Sequence, residues 1–232
     1  MSIKKTIVAV GIFAVLGGGG YAAYDYFAGN HITIQEVIPA SSSSSAPAAQ
    51  QVGAAAVVGE SQMNGQWSIQ ADSKVYFSVT TSKETVNFEG GTVKGQWNVD
   101  TTDASKMSAE GVVTTAALQS GNNQRDGHIK GAEYLNVTAF PEATFKLKAF
   151  DNFPKEWKEG AKASFNMTGT LTVKGVSKDV SFKTDALYSE GSIKLEGSTM
   201  VTFADFGMKN PHTVVLDTQN DLTVQLRLIL KK

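Results

Sequence analysis

The residues best suited to chemistry crowd into one stretch: Arg125-Asp126-Gly127-His128, followed by Glu133-Tyr134-Leu135-Asn136 and Phe140-Pro141-Glu142-Ala143-Thr144-Phe145. A guanidinium, a carboxylate and an imidazole this close together could hold a polar head group, and His128 could titrate near neutral pH. The same side chains can serve structure, because an acid near a helix start is favoured by capping and by the helix dipole. His31, His128 and His212 stand far apart, without His-x-x-x-His or His-x-x-Glu-His spacing, and the chain has no cysteine. Disulfides, thiolate catalysis and Cys-ligated metals are therefore excluded, and no metal or cofactor is expected. Asp100 and Asp103 lie in a turn-like Asp-Thr-Thr-Asp and read as solvated. With neither a Gly-x-Ser-x-Gly elbow nor a phosphate-cradling glycine loop before a helix, the sequence does not read as an enzyme.

The elements that must position these residues are strands. From Trp67 onward apolar residues alternate with period two, as half-buried antiparallel strands require. Val75, Phe77 and Val79 form one series; Val93, Gly95, Trp97 and Val99 another; Ala143, Phe145, Leu147 and Ala149 a third. Further series are Ala163, Phe165, Met167, Gly169, Leu171 and Val173, then Val180, Phe182 and Thr184, then Ile193, Leu195, Gly197, Thr199, Val201 and Phe203. Leu222, Val224, Leu226, Leu228 and Leu230 close the chain. Gly, Asn and Asp clusters such as Glu89-Gly90-Gly91, Asp151-Asn152-Phe153-Pro154 and Ser189-Glu190-Gly191 supply the turns between them. The pattern predicts an all-β fold, an antiparallel sheet closed into a barrel of about eight strands or folded as a sandwich, with one short helix at Asn123 to Lys130. Side chains can fill such a barrel, or one elongated ligand can occupy it. Gly95, Gly169 and Gly197, on the inward series, mark bends or leave room for a ligand tail.

Lys4-Lys5 precedes an uncharged run from Thr6 to Tyr24, which reads as a membrane-targeting segment with its positive end in the cytoplasm. Cleavage at Gly20-Tyr21-Ala22 and retention as an anchor are both open, since the run just reaches the ~20 residues a crossing needs. The low-complexity Ser41 to Ser45, Ala46-Pro47-Ala48-Ala49 and Gly53-Ala54-Ala55-Ala56 read as a tether, which tilts the balance toward an anchor. The expected organisation is a signal anchor or signal peptide at 1–27, a linker at 28–65 and a barrel domain at 66–232. The formal net charge is −1, and acids and bases balance from Ser61 to Lys232, so no field gathers nucleic acid. A ligand must be held by shape and burial.

With these residues in place, the chain from about Gln66 onward resembles the YceI-like family of bacterial polyisoprenoid- and lipid-binding proteins. Trp67-x-Ile69, Ser73-Lys74-Val75-Tyr76-Phe77, the Arg125-Asp126-Gly127-His128 turn, Phe140-Pro141 with Thr144-Phe145, Leu171-Thr172-Val173-Lys174-Gly175-Val176-Ser177-Lys178 and Asp205-Phe206-Gly207-Met208 carry the resemblance. Asp72, Lys174, Leu147 and Phe203 stand where the family has polar or basic residues, which removes candidate head-group contacts. The resemblance implies an extended, lipocalin-like barrel with an apolar interior. By resemblance, Phe77, Trp97, Phe145, Phe165, Met167, Leu171, Phe182 and Leu195 line a lipid cavity, with Arg125, Asp126 and His128 at its rim. The implied partner is a long-chain isoprenoid, a quinone-like molecule or a fatty acyl chain, with the membrane reached through the N-terminal segment, no nucleic acid, and a homodimer left open. The implied location is the exported bacterial envelope, as a periplasmic or outer-face domain anchored to the inner membrane or released after signal cleavage. The alternative is an envelope structural or interaction module with a filled barrel.

Overall fold

The computed structural model of the chain describes residues 29–39, 55–211 and 217–232. The hydrophobic segment expected at 1–27 and His212 lie outside these residues, among which no helix is long and apolar enough to cross a membrane. The strands are β1 (Val57–Val58), β2 (Gly65–Ile69), β3 (Lys74–Thr81), β4 (Thr85–Glu89), β5 (Val93–Val99), β6 (Ser108–Thr114), β7 (Glu142–Asp151), β8 (Trp157–Lys158), β9 (Lys162–Val173), β10 (Val176–Ser189), β11 (Ser192–Thr202) and β12 (Thr218–Lys231). The eight-residue helix lies at Asn123–Lys130, as the sequence predicts, and a four-residue helical turn at Glu60–Met63 precedes β2.

Eight strands close a barrel in the order β2, β5, β6, β7, β9, β10, β11 and β12, with β11 pairing back onto β12 and every pairing antiparallel. Closure removes the edges that an open sheet would expose. β3 and β4 are the remaining strands of the same sheet. β2 and β3 run along one side of β12, at Ile69↔Leu230 and Lys74↔Arg227, interrupted by a turn at residues 70–73. There the Ser73 hydroxyl accepts from the Ile229 amide at 2.9 Å, standing in for a ladder bond. β4 pairs with β3 and is bridged to the β6–β7 connection at Glu89↔Gln119.

The two ends of the barrel differ. One carries the β3–β4 and β9–β10 hairpins, the helix, and the β11–β12 connection. The other is a packed base, where Phe153 touches the rings of Phe150, Trp157 and Phe165 at 4.9, 5.6 and 5.0 Å. β1 pairs with β8 at this base, and Met63 is buried there with its carbonyl accepting from Trp67 Nε1 at 2.8 Å. Asp100 and Asp103 serve as turn acceptors. Asp100 accepts from the Thr102 hydroxyl and from the Thr102 and Asp103 amides, Asp103 accepts from the Ser105 hydroxyl and amide, and these bonds, the hydroxyls first, hold both carboxyls below their ordinary range.

Of the stretch expected as a linker, residues 29–39 cross the outer wall as a strap. Asn30 Oδ1 accepts from the Asn87 amide at 2.9 Å, and Asn87 Nδ2 donates to the Ile32 carbonyl at 2.9 Å. Farther along, Arg227 Nη2 meets Glu36 at 3.0 Å, and the Val37 and Ile38 amides donate to Glu196 Oε1 at 2.8 and 2.7 Å. Tyr76, fully buried beside Gln35 of the strap, has its phenol pushed up by burial.

Candidate functional site

The inward series of the strands enclose two adjoining apolar cavities. The upper one, about 110 Å³, is roofed by Leu118, Ile129, Tyr134 and Leu135 from the β6–β7 connection and by Phe203, Phe206 and Met208 from the β11–β12 connection. The lower one, about 60 Å³, lies between Trp97, Phe145, Met167 and Phe182. Val75, Val113, Ala143, Leu171 and Val224 line both, so the two spaces meet along that belt. No charged side chain lines either. An ionised group would lose its hydration here without a partner, so these cavities suit a hydrocarbon.

A cleft of about 350 Å³ opens at the helix end, between Val79, Val86 and Phe88 on one side and Gln124, Arg125, His128 and Ile129 on the other. Phe88 lines this cleft, Phe77 lines the upper cavity, and the two rings stack at 4.4 Å and 7°. Ile129 lines both spaces. The Phe77–Phe88 stack and Ile129 therefore form the partition between cleft and interior. Each cavity alone falls below the ~300–1,000 Å³ usual for a small-molecule pocket; the cleft alone is large enough.

The rim residues have unequal duties. Asp126 is buried and accepts from the Ser120 amide at 2.9 Å and from the Ser120 hydroxyl, which pins the helix to the preceding loop. The Asn122 side chain caps the helix by accepting from the Gln124 and Arg125 amides. Arg125 Nε donates to Ser120 Oγ at 2.8 Å, and both terminal nitrogens reach the Gly29 carbonyl at 3.1 Å, so the rim guanidinium also clamps the start of the strap. Its charge lies 5.7 Å from the Phe88 ring centroid, within cation–π range. Burial draws the Arg125 pKa down. His128 is exposed, with its ring 5.0 Å from that of Tyr134.

Of the interior residues singled out from sequence, Phe77, Trp97, Phe145, Met167, Leu171 and Phe182 border the two cavities, and Phe145 meets Phe182 edge-on at 5.4 Å. Phe165 and Leu195 border neither. Phe165 joins the aromatic base, and Leu195 is fully buried in the core. Gly169 does leave room, but a protein ring takes it: a Cβ there would fall 2.5 Å from Phe145 Cζ and from the Lys146 carbonyl. The roof residues Tyr134, Leu135, Phe206 and Met208, and Phe88 at the partition, were not among the site residues read from sequence. The motifs containing the first four marked that region without saying which way the side chains turn. Among the described residues no group of three or more His, Asp or Glu is placed to hold a metal ion.

The family model described as the YceI-like domain matches residues 67–229. A UPF0312 protein of Pseudomonas putida strain GB-1 is 32% identical over 136 residues, covering 56% of this chain and 66% of that protein. A UPF0312 protein of Pseudomonas fluorescens strain SBW25 is 33% identical over 132 residues, covering 52% and 64%. The matches thus span just under two thirds of these relatives' length. Among solved structures, Burkholderia cenocepacia BcnA aligns with a TM-score of 0.59 at 19% identity, over 68% of this chain and 96% of its own. A polyisoprenoid binding domain from Saccharophagus degradans, implicated in plant cell wall breakdown, aligns with a TM-score of 0.59 at 13% identity, over 71% and 97%. At these identities the structural likeness shows a shared fold.

Proposed function

Because this chain belongs to the YceI-like family, and because its interior is a charge-free path beneath an open cleft, we propose that it binds a lipid, holding a long apolar chain inside the barrel for sequestration or transport. The observation that carries the reading is the retention of two apolar voids below a partition of two stacked phenylalanines. The proposed ligand is a polyisoprenoid, a quinone-like molecule or a fatty acyl chain, and the Saccharophagus degradans domain described as polyisoprenoid-binding supports the first. Burying hydrocarbon contributes roughly 0.8 kcal/mol per CH₂, so a tail can be held with almost no polar contact. A tail longer than the present voids enters by turning the Phe77 and Phe88 rings aside. The proposal includes export to the bacterial envelope and a retained N-terminal anchor, supported by the uncharged Thr6 to Tyr24 run after Lys4-Lys5.

A second reading, an envelope structural or interaction module with a filled barrel and no ligand, is favoured by the small size of the two cavities and by the way Phe145 fills the space at Gly169. Native mass spectrometry of the full chain purified from bacteria, with lipid extraction, separates the two. Bound lipid, or uptake of an added isoprenoid, is the expected result. A clean apo mass with no uptake overturns the carrier and leaves the module.

A further inference from the structure

We propose that the open end of the barrel is held against a lipid bilayer, so that the cleft beside the helix faces the membrane from which the bound chain comes. The proposal rests on the anchored reading above and adds an orientation to it. Its first support is the strap. Gly29, the first described residue, has its carbonyl held by both terminal nitrogens of Arg125 at 3.1 Å, and Arg125 itself lines the mouth cleft. The next residue, Asn30, is fixed to the β3–β4 hairpin through Glu84 Oε2 at 3.2 Å and to β4 through Asn87 at 2.9 Å. The chain therefore leaves the barrel at its mouth. The uncharged run ends at Tyr24, five peptide links earlier. At ~3.3–3.6 Å per residue those links span at most roughly 18 Å.

The far end cannot share that proximity. β12 has 14 residues, about 45 Å at ~3.3 Å per residue, and with a barrel strand tilt of about 35–45° it still separates the two ends by roughly 32–37 Å, about twice the tether's reach. The surface of the mouth end is the second support. Of the four large apolar side chains exposed among the described residues, Phe140 and Val176, 37% and 39% exposed, lie close together in the fold at this end, while Val57, 65% exposed, stands alone at the base and Met200, 66% exposed, lies on the outer wall. The Phe140 ring lies over the β9–β10 turn, where a Cβ on Gly175, the residue before Val176, would fall 2.7 Å from it. Lys83, Lys130, Lys174 and Lys209 at this end are interspersed with Glu84, Glu133 and Asp205, so tether and apolar contact, rather than net charge, hold the face down.

The absence of cysteine makes the test clean. The full chain carrying Val176→Cys or Lys83→Cys at the mouth, or Ala104→Cys at the base, is labelled with an environment-sensitive fluorophore. It is then reconstituted into phosphatidylcholine–phosphatidylglycerol vesicles containing a nitroxide-bearing lipid. Flotation reports attachment, and quenching reports proximity to the bilayer. The expected result is a chain that floats, with labels at 176 and 83 quenched severalfold more than the label at 104. Flotation with equal quenching at both ends, or stronger quenching at 104, overturns the orientation and leaves the anchor standing. Failure to float overturns the anchored reading and the orientation with it.

Discussion

Leu171→Trp gives the sharpest test of whether the interior is a binding path. Leu171 borders both cavities, so an indole at this position projects into their junction and blocks passage from the upper to the lower. The variant should still fold. Overpacking a filled core costs about 1–3 kcal/mol, but this site is not filled. At about 24 cal/mol per Å³ of unfilled volume, voids of about 110 and 60 Å³ cost about 2.6 and 1.4 kcal/mol, which is the range of the expected strain and offsets it. The melting temperature should move by only a few degrees. Ligand retention should change far more: every five methylenes kept out of the barrel lose about 4 kcal/mol, near a thousandfold in Kd. The assay is native mass spectrometry of the full chain with lipid extraction, beside a thermal melt. Met200→Trp, on the exposed outer wall, is the control. If Leu171→Trp folds normally and co-purifies with the same lipid at the same occupancy as wild type, the path does not run through these cavities.

Three further outcomes follow from individual contacts. Asp126→Ala leaves the Ser120 amide and hydroxyl without their acceptor, and a loss of about 1–3 kcal/mol is expected; a thermal melt should show a drop of roughly 2–4 °C per kcal/mol. Gly169→Ala drives a methyl against the Lys146 carbonyl and the Phe145 ring, so it should cost about 1–3 kcal/mol, and an unchanged melt would contradict the packing described. The strap should respond to pH through Glu36 and Glu196, which are hydrogen-bonded to each other beside Arg227: burial and then Glu36 push Glu196 up, while the bond to Glu196 pulls Glu36 down. Glu196, raised in the fold, contributes fully below its free value of ~4.3 and loses that contribution as pH rises through the raised value. Glu36, lowered in the fold, contributes above its free value and loses that contribution as pH falls through the lowered one. The strap should therefore loosen as pH rises above the free carboxylate value and through the raised value of Glu196. Hydrogen exchange at the Val37 and Ile38 amides, normalised for intrinsic rates, reads the change, and Glu196→Gln, which keeps the acceptor oxygen without the charge, should flatten it. Equal pH dependence in both proteins would contradict the pairing.

Alternation in the sequence was enough to read antiparallel strands and to say which residues share a face, because side-chain direction along a strand has period two and depends on nothing distant; it left barrel and sandwich open, and it is the pairing of β11 back onto β12 that closes the barrel. The helix at Asn123–Lys130 was legible for a similar reason: it interrupts that period with polar residues, and Asn122 caps it locally. What an inward residue meets on the far side is another matter. Phe165 and Phe145 share a period, yet one is packed into the aromatic base and the other borders a void, because strand tilt, register and the opposite wall decide what faces each. Gly169 read as a bend or as ligand room; only the fold brings the Phe145 ring over it from a neighbouring strand. Asp126 and Arg125 looked alike as rim candidates until the loop carrying Ser120 took up all the contacts shown for the first and shared the second with Gly29. The strap was the least legible element. Its hold on Glu196 and Arg227 joins residues more than 150 positions apart, and no local pattern in residues 29–39 announces a partner that only barrel closure puts within reach.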